Sequence, residues 1–184
     1  MDKAQSVEGL MPALSEETTR GLAEMMDTFI AQGLALGGGY VTTAKTITSE
    51  DDAKKAIDDL FVQLWKRGVS TRDKVTLYMT PWFYDLFQNK LVSLKTDNDD
   101  LVAKGVLGRY RSAWCKMSNN IFSDSGNDHI ILKTSKAFAF ANGVEGMEAY
   151  RPEKRFSDAI KGLNTYGGKM VRPKECAVLK CKQG

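Results

Sequence analysis

Residues that could perform acid–base or metal chemistry are few in this chain. Its 184 residues include one histidine, His129, and three cysteines, Cys115, Cys176 and Cys181. A zinc site needs cysteines and histidines at characteristic short spacings, which these four residues do not have. A general base needs a partner within hydrogen-bond reach, whereas His129 opens an apolar segment after a Gly-Asn-Asp turn. We interpret His129 as a strand-edge residue with a satisfied ring nitrogen, and we predict neither a catalytic nor a metal site.

Two further segments resemble ligand-binding loops only in part. The three glycines at 37–39 follow a helical pattern, whereas phosphate-binding loops follow a strand, open a helix and continue into Gly-Lys-Ser/Thr. The acidic segment 97–100 lacks the glycine and the glutamate that a calcium loop places at its sixth and twelfth positions. The sequence also has no Gly-x-Ser-x-Gly nucleophile motif. These patterns predict no cofactor and no catalytic residue.

The cysteine pattern and the hydropathy indicate the compartment. An odd number of cysteines argues against a disulfide framework, and Cys176 and Cys181, five residues apart, would point to opposite faces of one strand. No window approaches the roughly 18 consecutive apolar residues of a membrane-spanning helix, and the N-terminus lacks the layout of a secretory signal. We therefore expect free thiols, no membrane partner and a location in the cytoplasm of the host cell.

Two helices are predicted from their end signals. Ser15 could cap a first helix of about six turns, whose apolar residues recur at helical spacing as far as the glycines at 37–39. This apolar face contains several methionines, for which core packing is the more frequent role than an adaptable binding surface. Ser49 caps a second helix that ends at Gly68. The connection 37–48 is predicted to hold one short strand.

The rest of the chain is predicted to be mainly extended. Residues 75–79 alternate apolar and polar, which indicates a strand with one buried face, and Pro81 opens a short helix. Strands are also predicted within 106–117, 129–133 and 137–141, with surface loops at 94–100 and 123–128. Residues 156–166 are ambiguous, because their apolar spacing suits a helix whereas their glycines suit strands.

Charge is distributed unevenly along the sequence. Residues 148–184 contain nine Lys or Arg against four Asp or Glu, so this end is basic although the net charge of the chain is only +3. Such an end could face nucleic acid, an acidic patch on a neighbouring subunit, or solvent.

Three segments carry a resemblance to a known family. The Arg151-Pro152 and Arg172-Pro173 pairs each end an apolar segment, and no residue between them is suited to catalysis. This region resembles the closing segment of tailed-phage major capsid proteins of the HK97-type fold. Residues 75–81 resemble the strand and Pro-capped helix of that family. Residues 105–109, followed by 118–120, resemble its Gly-hydrophobic-Gly stretch and Ser-Asn sequence.

The resemblance implies an α+β fold with a spine helix, peripheral-domain strands and an inserted axial domain. Residues 1–45 and 129–184 would form the peripheral-type domain, with the strands after His129 lying alongside the spine helix, and residues 46–128 the axial-type domain. It also favours extended structure at 156–166. Family members place an arm and an extended hairpin before the spine helix, where this chain has only about fourteen residues. We therefore expect the C-terminal part of a longer protein, a remnant gene product or a shortened form.

The function that the resemblance implies is structural, not enzymatic. The chain would be a subunit, or a C-terminal fragment, of a bacteriophage or prophage major capsid protein that forms pentamers and hexamers of an icosahedral shell. Scaffold and portal proteins, and packaged DNA bound non-specifically on the interior, would be its other partners, and the virion capsid its final location. Charged subunit contacts are predicted at Arg151, Glu153, Lys154, Arg155 and Arg172, since Arg pairs well with carboxylates. The alternative is that these are solvated residues whose ion pairs contribute about 0–1 kcal/mol.

Two functions of other classes are alternatives. One is a nucleic-acid-binding module that uses the basic end with Tyr150, Phe156 and Tyr166, and its affinity would fall steeply with salt. The other is a small enzyme with an unrecognised site, which would need a deep pocket lined by titratable residues.

Overall fold

The computed structural model describes residues 10–93, 108–151, 153 and 159–184. Their strands form an eight-stranded mixed sheet and a separate two-stranded sheet, which with three α-helices make the α+β fold that the sequence predicts. The helices are α1 (Leu10–Gly37), α2 (Glu50–Lys66) and α3 (Pro81–Ser93), and a short 3₁₀ helix covers Pro173–Glu175. The strands are β1 (Tyr40–Val41), β2 (Lys45–Ile47), β3 (Val75–Met79), β4 (Arg109–Tyr110), β5 (Ala113–Met117), β6 (Ser123–Asp124), β7 (Asn127–Thr134), β8 (Phe138–Tyr150), β9 (Ala159–Met170) and β10 (Cys176–Gln183).

Helix α1 starts earlier than predicted. It begins at Leu10, five residues before Ser15, and its 28 residues make about eight turns. Pro12 lies in the first turn, where its missing N–H costs no helical hydrogen bond. The predicted cap at Ser15 is therefore wrong, whereas the predicted end at the glycines is confirmed, because α1 ends at Gly37.

Helix α2 confirms the prediction from its end signals. The Ser49 hydroxyl accepts a hydrogen bond from the Asp52 backbone N–H at 3.2 Å. Such a cap contributes about 1 kcal/mol. At the other end Arg67 closes the helix, and Gly68 follows with a φ of +91°, in the region that glycine adopts without strain. One face of α2 is buried throughout.

The connection from α1 to α2 contains two short strands instead of the one predicted. Both β1 and β2 pair in parallel with β10, so this connection adds to the edge of the large sheet. Gly39 lies against the start of β10, where its N–H donates to the Pro173 carbonyl oxygen at 2.9 Å. A Cβ at Gly39 would lie 2.3 Å from the same oxygen, so only glycine fits this approach.

Strand β3 lies near the centre of the large sheet, whose order is β1-β10-β7-β3-β5-β4. It pairs antiparallel with β7 and in parallel with β5, and its side chains alternate between buried and half-buried as predicted. Helix α3 begins at Pro81, directly after β3, and lies within the connection between the two parallel strands β3 and β5.

The main core lies between this sheet and helices α2 and α3. Both helices bury aromatic and aliphatic side chains against the sheet, among them Phe61, Phe83 and Phe87, which are fully buried. A smaller cluster lies on the opposite face, where α1 covers part of the sheet. Its members are Leu34, Ile131, Ala137, Cys176 and Val178. The large sheet is therefore fully covered on one face and partly covered on the other.

The predicted surface loop at 123–128 is instead a tight hairpin. Strand β6 pairs with β7 around Ser125 and Gly126, which have φ values of 53° and 75°. Positive φ at both central residues is typical of the type I′ turn, whose twist matches that of paired strands. The predicted loop at 94–100, and Gly105 before β4, lie outside the described residues. Strands were predicted within 106–117, and β4 and β5 confirm this for Arg109–Tyr110 and Ala113–Met117.

His129 is buried in β7, where it pairs with Lys180 of β10 on one side and its backbone N–H donates to the Phe122 carbonyl oxygen at 3.1 Å on the other. The prediction of a strand-edge position is wrong, since β7 has partners on both sides. The satisfied ring nitrogen is confirmed, because His129 Nδ1 lies 3.1 Å from the Phe122 carbonyl oxygen.

The ambiguous segment is extended wherever it is described. Strand β9 pairs antiparallel with β8 over twelve residue pairs, so the helical spacing of Ile160 and Leu163 was a misleading signal. Residues 156–158 lie outside the described residues. Strands β7 and β10 belong to the large sheet, and their residues Ile131, Cys176 and Val178 pack with Leu34 of α1, so these two strands also lie against the predicted spine helix. The division into two domains at 45/46 and 128/129 stays a prediction.

All three cysteines are free, as predicted. Cys176 packs in the cluster under α1, whereas Cys181 packs in the main core, which confirms their positions on opposite faces of one strand. Burial raises the pKa of each of the three thiols to about 12. The thiolate is the reactive form, so this shift lowers the reactivity of the three thiols in the folded chain.

Candidate functional site

Helix α1 is attached to the rest of the fold mainly through its C-terminal part. Ile30 and Leu34 pack on the small cluster of the large sheet. From residue 16 to residue 29 every position except Met26 is exposed. Because α1 is buried only in its last turns among the residues whose exposure is described, the stretch 16–29 is available to another molecule.

Strands β8 and β9 form a long hairpin without a third strand among the described residues. An isolated two-stranded hairpin is marginally stable in water, so this one depends on its contact with α1. The Tyr166 ring meets the Phe29 ring edge-on at 5.4 Å between centroids, and Asn164 Nδ2 lies 3.9 Å from Met26 Sδ. Asn164 and Tyr166, two residues apart on β9, therefore face α1.

The base of the hairpin lies very close to α1. A Cβ at Gly33 would lie 2.9 Å from the Phe138 ring, and a Cβ at Gly37 would lie 3.0 Å from Met170 Cβ. Small residues at these two helix positions allow the strands to approach the helix backbone. The C-terminal end of α1 and the base of the hairpin are therefore packed closely against each other.

Large apolar side chains remain exposed on this part of the molecule. Leu22, Met25 and Phe29 share one face of α1 and are 37%, 59% and 36% exposed. Phe140, 38% exposed, continues from them through the ring of Tyr166. We call these five residues the α1–hairpin surface. Exposed apolar patches are typical of association sites. The prediction that the methionine-rich face of α1 packs in the core is wrong for Leu22, Met25 and Phe29.

The predicted charged contact residues lie at opposite ends of the hairpin. Arg151 and Glu153 are exposed just beyond the end of β8, whereas Arg172 follows β9 at the base. The 13 residues of β8 span about 40 Å, which separates the two Arg-Pro pairs by a similar distance. Lys154 and Arg155 lie outside the described residues. The five residues do not form one cluster, and their role in subunit contacts stays a prediction.

Arg172 already has a partner within the chain. Its Nη1 lies 2.9 Å from Glu175 Oε1, and the same carboxylate accepts a hydrogen bond from the hydroxyl of the buried Thr134. The Thr134 hydrogen bond, followed by that from Arg172, holds the pKa of Glu175 below its usual value. This network ties the base of the hairpin to the end of β7.

Tyr166, one of the residues of the nucleic-acid alternative, is occupied by packing. Its ring contacts both Phe29 and Phe140 instead of standing free for a base. Phe156 lies outside the described residues. Among the residues that the structure does describe, no group of three or more His, Cys, Asp or Glu could hold a metal ion, and no helix is long and apolar enough to cross a membrane.

The strongest signal about function comes from known structures. A chain from Mycobacterium phage Che8 superposes with a TM-score of 0.81 and 26% identity, covering 91% of this chain and 62% of that one. The capsid of cyanophage P-SCSP1u matches with a TM-score of 0.70 and 16% identity, covering 100% of this chain and 69% of that one. The mature capsid of bacteriophage PhiM1 matches with a TM-score of 0.70 and 14% identity, covering 98% and 68%.

The chain thus spans less than two thirds of the length of the Che8 chain. No protein-family model and no curated protein matches it. The sequence resemblance and the structural matches agree on one architecture, and this chain has the HK97-type fold of tailed-phage major capsid proteins.

Proposed function

We propose that this chain is a structural subunit, or the C-terminal part of one, of the head shell of a tailed phage or prophage. The observation that carries the proposal is the match to the Che8 chain over 91% of the residues, with capsid structures of two further phages matching nearly the whole chain. The function is association instead of catalysis, and its location is the virion capsid.

Contacts between copies would repeat around a symmetry axis. Rings of five or six copies form when one surface of a subunit fits a different surface of the next. The α1–hairpin surface is suited to one side of such a contact, because burial of the exposed side chains of Leu22, Met25 and Phe29 lowers the free energy of the complex. A stable specific interface buries about 1,200–2,000 Å² in total, so this surface would form the apolar centre of a larger one.

The charged candidates would act at the periphery of the contact. Because the hairpin is about 40 Å long, its far end, where Arg151 and Glu153 lie, can reach a neighbouring copy. Lys154 and Arg155 follow them in the sequence. Arg172, at the base, is already paired with Glu175. To contact a carboxylate of a neighbouring copy it would have to share or exchange that ion pair. Such rim charges set the orientation and rate of association more than its strength.

The domain division follows from strand pairing in this proposal. Helix α1 with the β8–β9 hairpin would be the peripheral-type part. The axial-type part would be the large sheet with α2 and α3. It would include β7 and β10, which departs from the boundary that the sequence predicts at 128/129. Scaffold and portal proteins are further partners in this proposal.

The test is the mass distribution of the purified chain by light scattering on a sizing column, with negative-stain images of any large species. We expect rings, sheets or shells whose amount increases with protein concentration. A chain that stays monomeric at every concentration and salt condition tried would contradict self-association by this part of the protein.

A further inference from the structure

A groove of about 480 Å³ opens at the end of the large sheet where β3 begins. Three segments form its wall: the end of α2 at Trp65, the loop 71–74 that leads into β3, and strands β4 and β5 with the turn between them. A volume of this size is within the range of sites that hold small molecules. We call it the cationic groove, because positively charged side chains dominate its lining.

The cations of the groove outnumber its carboxylates. Arg72, Lys74, Arg109 and Arg111 line it, against the single carboxylate of Asp73. Asp73 Oδ2 accepts a hydrogen bond from the Ser70 backbone N–H at 2.9 Å, so this carboxylate also holds the loop. No carboxylate within the described part of the chain forms an ion pair with Arg72, Lys74 or Arg109.

Arg111 is the one lining cation that has a carboxylate partner. Its Nη2 lies 2.9 Å from Oδ1 of Asp58, on α2. Asp58 is shared, because it also lies 2.8 Å from Lys54 Nζ and accepts a hydrogen bond from the Tyr110 hydroxyl at 2.6 Å. Even when Asp58 is counted with the groove, four cations face two carboxylates. A cleft lined by one sign of charge attracts the opposite sign, and this excess matches an anion with at least two negative charges.

Two buried polar atoms of the lining residues have no hydrogen-bond partner in the structure. They are Nε1 of Trp65 and Oγ of Ser112. The indole N–H can only donate, and the serine hydroxyl can donate as well as accept. Buried polar atoms without partners cost free energy, and the oxygens of an anion are acceptors that would complete both groups.

The wall of the groove is ordered by contacts within the chain. Arg111 has a φ of 52°, which costs free energy for a residue other than glycine. Its guanidinium is held over the rings of Phe61, Trp65 and Tyr110. On the opposite side the Arg72 backbone N–H donates to Ser70 Oγ at 3.3 Å, which closes the loop before β3. A site that is formed before its ligand arrives avoids part of the entropic cost of binding.

We propose that the cationic groove binds a small oxyanion with two or more negative charges, of the polyphosphate or polycarboxylate type. Arg72 and Arg109 would donate paired hydrogen bonds to its oxygens, and Ser112 would donate a further one. The cations converge on one groove from separate segments of the chain, which suits a compact ligand. The inference goes beyond the proposed function and does not depend on it, because one chain supplies the whole lining.

The experiment is isothermal titration calorimetry of the full chain with inorganic pyrophosphate and, separately, with citrate. Ionic strength is held constant so that general screening of charge stays the same. We expect one site per chain. Tighter binding of pyrophosphate would identify the ligand as a phosphate compound and tighter binding of citrate as a carboxylate, and either result supports the site.

A matched pair of variants tests the charges. Arg72→Gln/Arg109→Gln should weaken binding at least about tenfold, because two charge-assisted donors are lost. The control Lys55→Gln/Lys174→Gln makes the same change of net charge at exposed positions outside the groove, and should bind as the wild type does. Circular dichroism melting of each variant shows whether the fold is retained.

Ser112→Ala tests the buried hydroxyl without changing the charge. It should weaken binding about fivefold, yet leave the unfolding midpoint unchanged or higher, because an unsatisfied hydroxyl does not stabilise the free chain. A merely structural role would lower the midpoint instead. A lower midpoint with unchanged affinity would contradict the place of Ser112 in the site.

Three further outcomes would overturn the inference. They are the absence of binding of both anions up to millimolar concentration, equal weakening by the Arg variant and its control, and tighter binding of a single DNA strand or a glutamate-rich peptide than of either small anion. Light scattering on the same samples keeps the two proposals apart. Anion binding by a chain that never assembles contradicts the shell proposal alone, whereas assembly of a chain that binds neither anion contradicts this inference alone.

Discussion

The large sheet with α2 and α3 differs from the α1–hairpin unit in how its side chains are used. All of the largest fully buried side chains among the described residues belong to the first region, including Phe61, Phe83 and Phe87. The second region is joined to it through a cluster of five small and medium residues and exposes Leu22, Met25 and Phe29. One region therefore supplies most of the buried core, and the other leaves large apolar side chains exposed.

The largest effect should come from emptying the core of the first region. Phe87→Ala, which removes a fully buried ring between α3 and the sheet, should lower the free energy of unfolding by about 3–5 kcal/mol. Met25→Ala on α1 should lower it by less than about 0.5 kcal/mol, because that side chain is 59% exposed. Urea unfolding followed by circular dichroism measures both. Equal losses would contradict the contrast between the regions.

The cap of α2 should give the next largest effect. Ser49→Ala removes the acceptor for the Asp52 N–H and should cost about 1 kcal/mol. Ser15→Ala is the matched control, since α1 begins five residues before it, and should leave the unfolding midpoint almost unchanged. A large loss from Ser15→Ala would restore the cap that the sequence predicts.

These two serines show what the sequence can and cannot give. Ser49 was identified correctly because acidic residues follow it and the residues before it do not favour helix. Acidic residues also follow Ser15, but the segment before Ser15 favours helix as well. The alternation at 75–79 predicted β3 because its pattern is local. The apolar face of α1 was identified, but its spacing does not say whether the same chain or another one covers it.

Residues that strand register brings together illustrate the same limit more strongly. Arg109, Trp114 and Lys133 are brought into one row by the register of four strands, and nothing in their spacing along the sequence indicates this. The sequence indicated the basic C-terminal end instead, because its excess of positive charge lies within one continuous segment, 148–184. The Ser125-Gly126 turn was missed for a simpler reason, since Ser-Gly is typical of loops and of hairpins alike.

The contribution of Glu175 at the base of the hairpin can be tested through the pH dependence of stability. The pKa of Glu175 is lowered in the folded chain, so its contribution to stability is present above its unfolded pKa and is lost as the pH falls through the lower folded value. Glu175→Gln should therefore destabilise the chain at pH 7, and the difference from wild type should shrink as the pH falls below about 4. Glu17→Gln, at an exposed position of α1, is the control. A difference that stays constant with pH would show that Thr134 and Arg172 do not act on the ionised carboxylate.

The last prediction concerns the rate at which the cysteine thiols react. Because burial raises the pKa of all three thiols to about 12, a thiol reagent at pH 8 should react far more slowly with the folded chain than with the unfolded one, where the pKa is about 8.5. Three thiols should titrate after denaturation. Rapid reaction of any thiol in the native chain would show that the sheet is less tightly closed than described.

The most direct test of the contrast is assembly by matched surface variants, measured as mass by light scattering at one protein concentration. Met25→Glu/Phe29→Glu places charge on the α1–hairpin surface, whereas Val62→Glu places it on α2, where Val62 is 40% exposed. We expect the wild type and Val62→Glu to form large species and the double variant to remain small while keeping its fold. Assembly of the double variant to the wild-type extent would contradict the claim that α1 and the hairpin form the association surface.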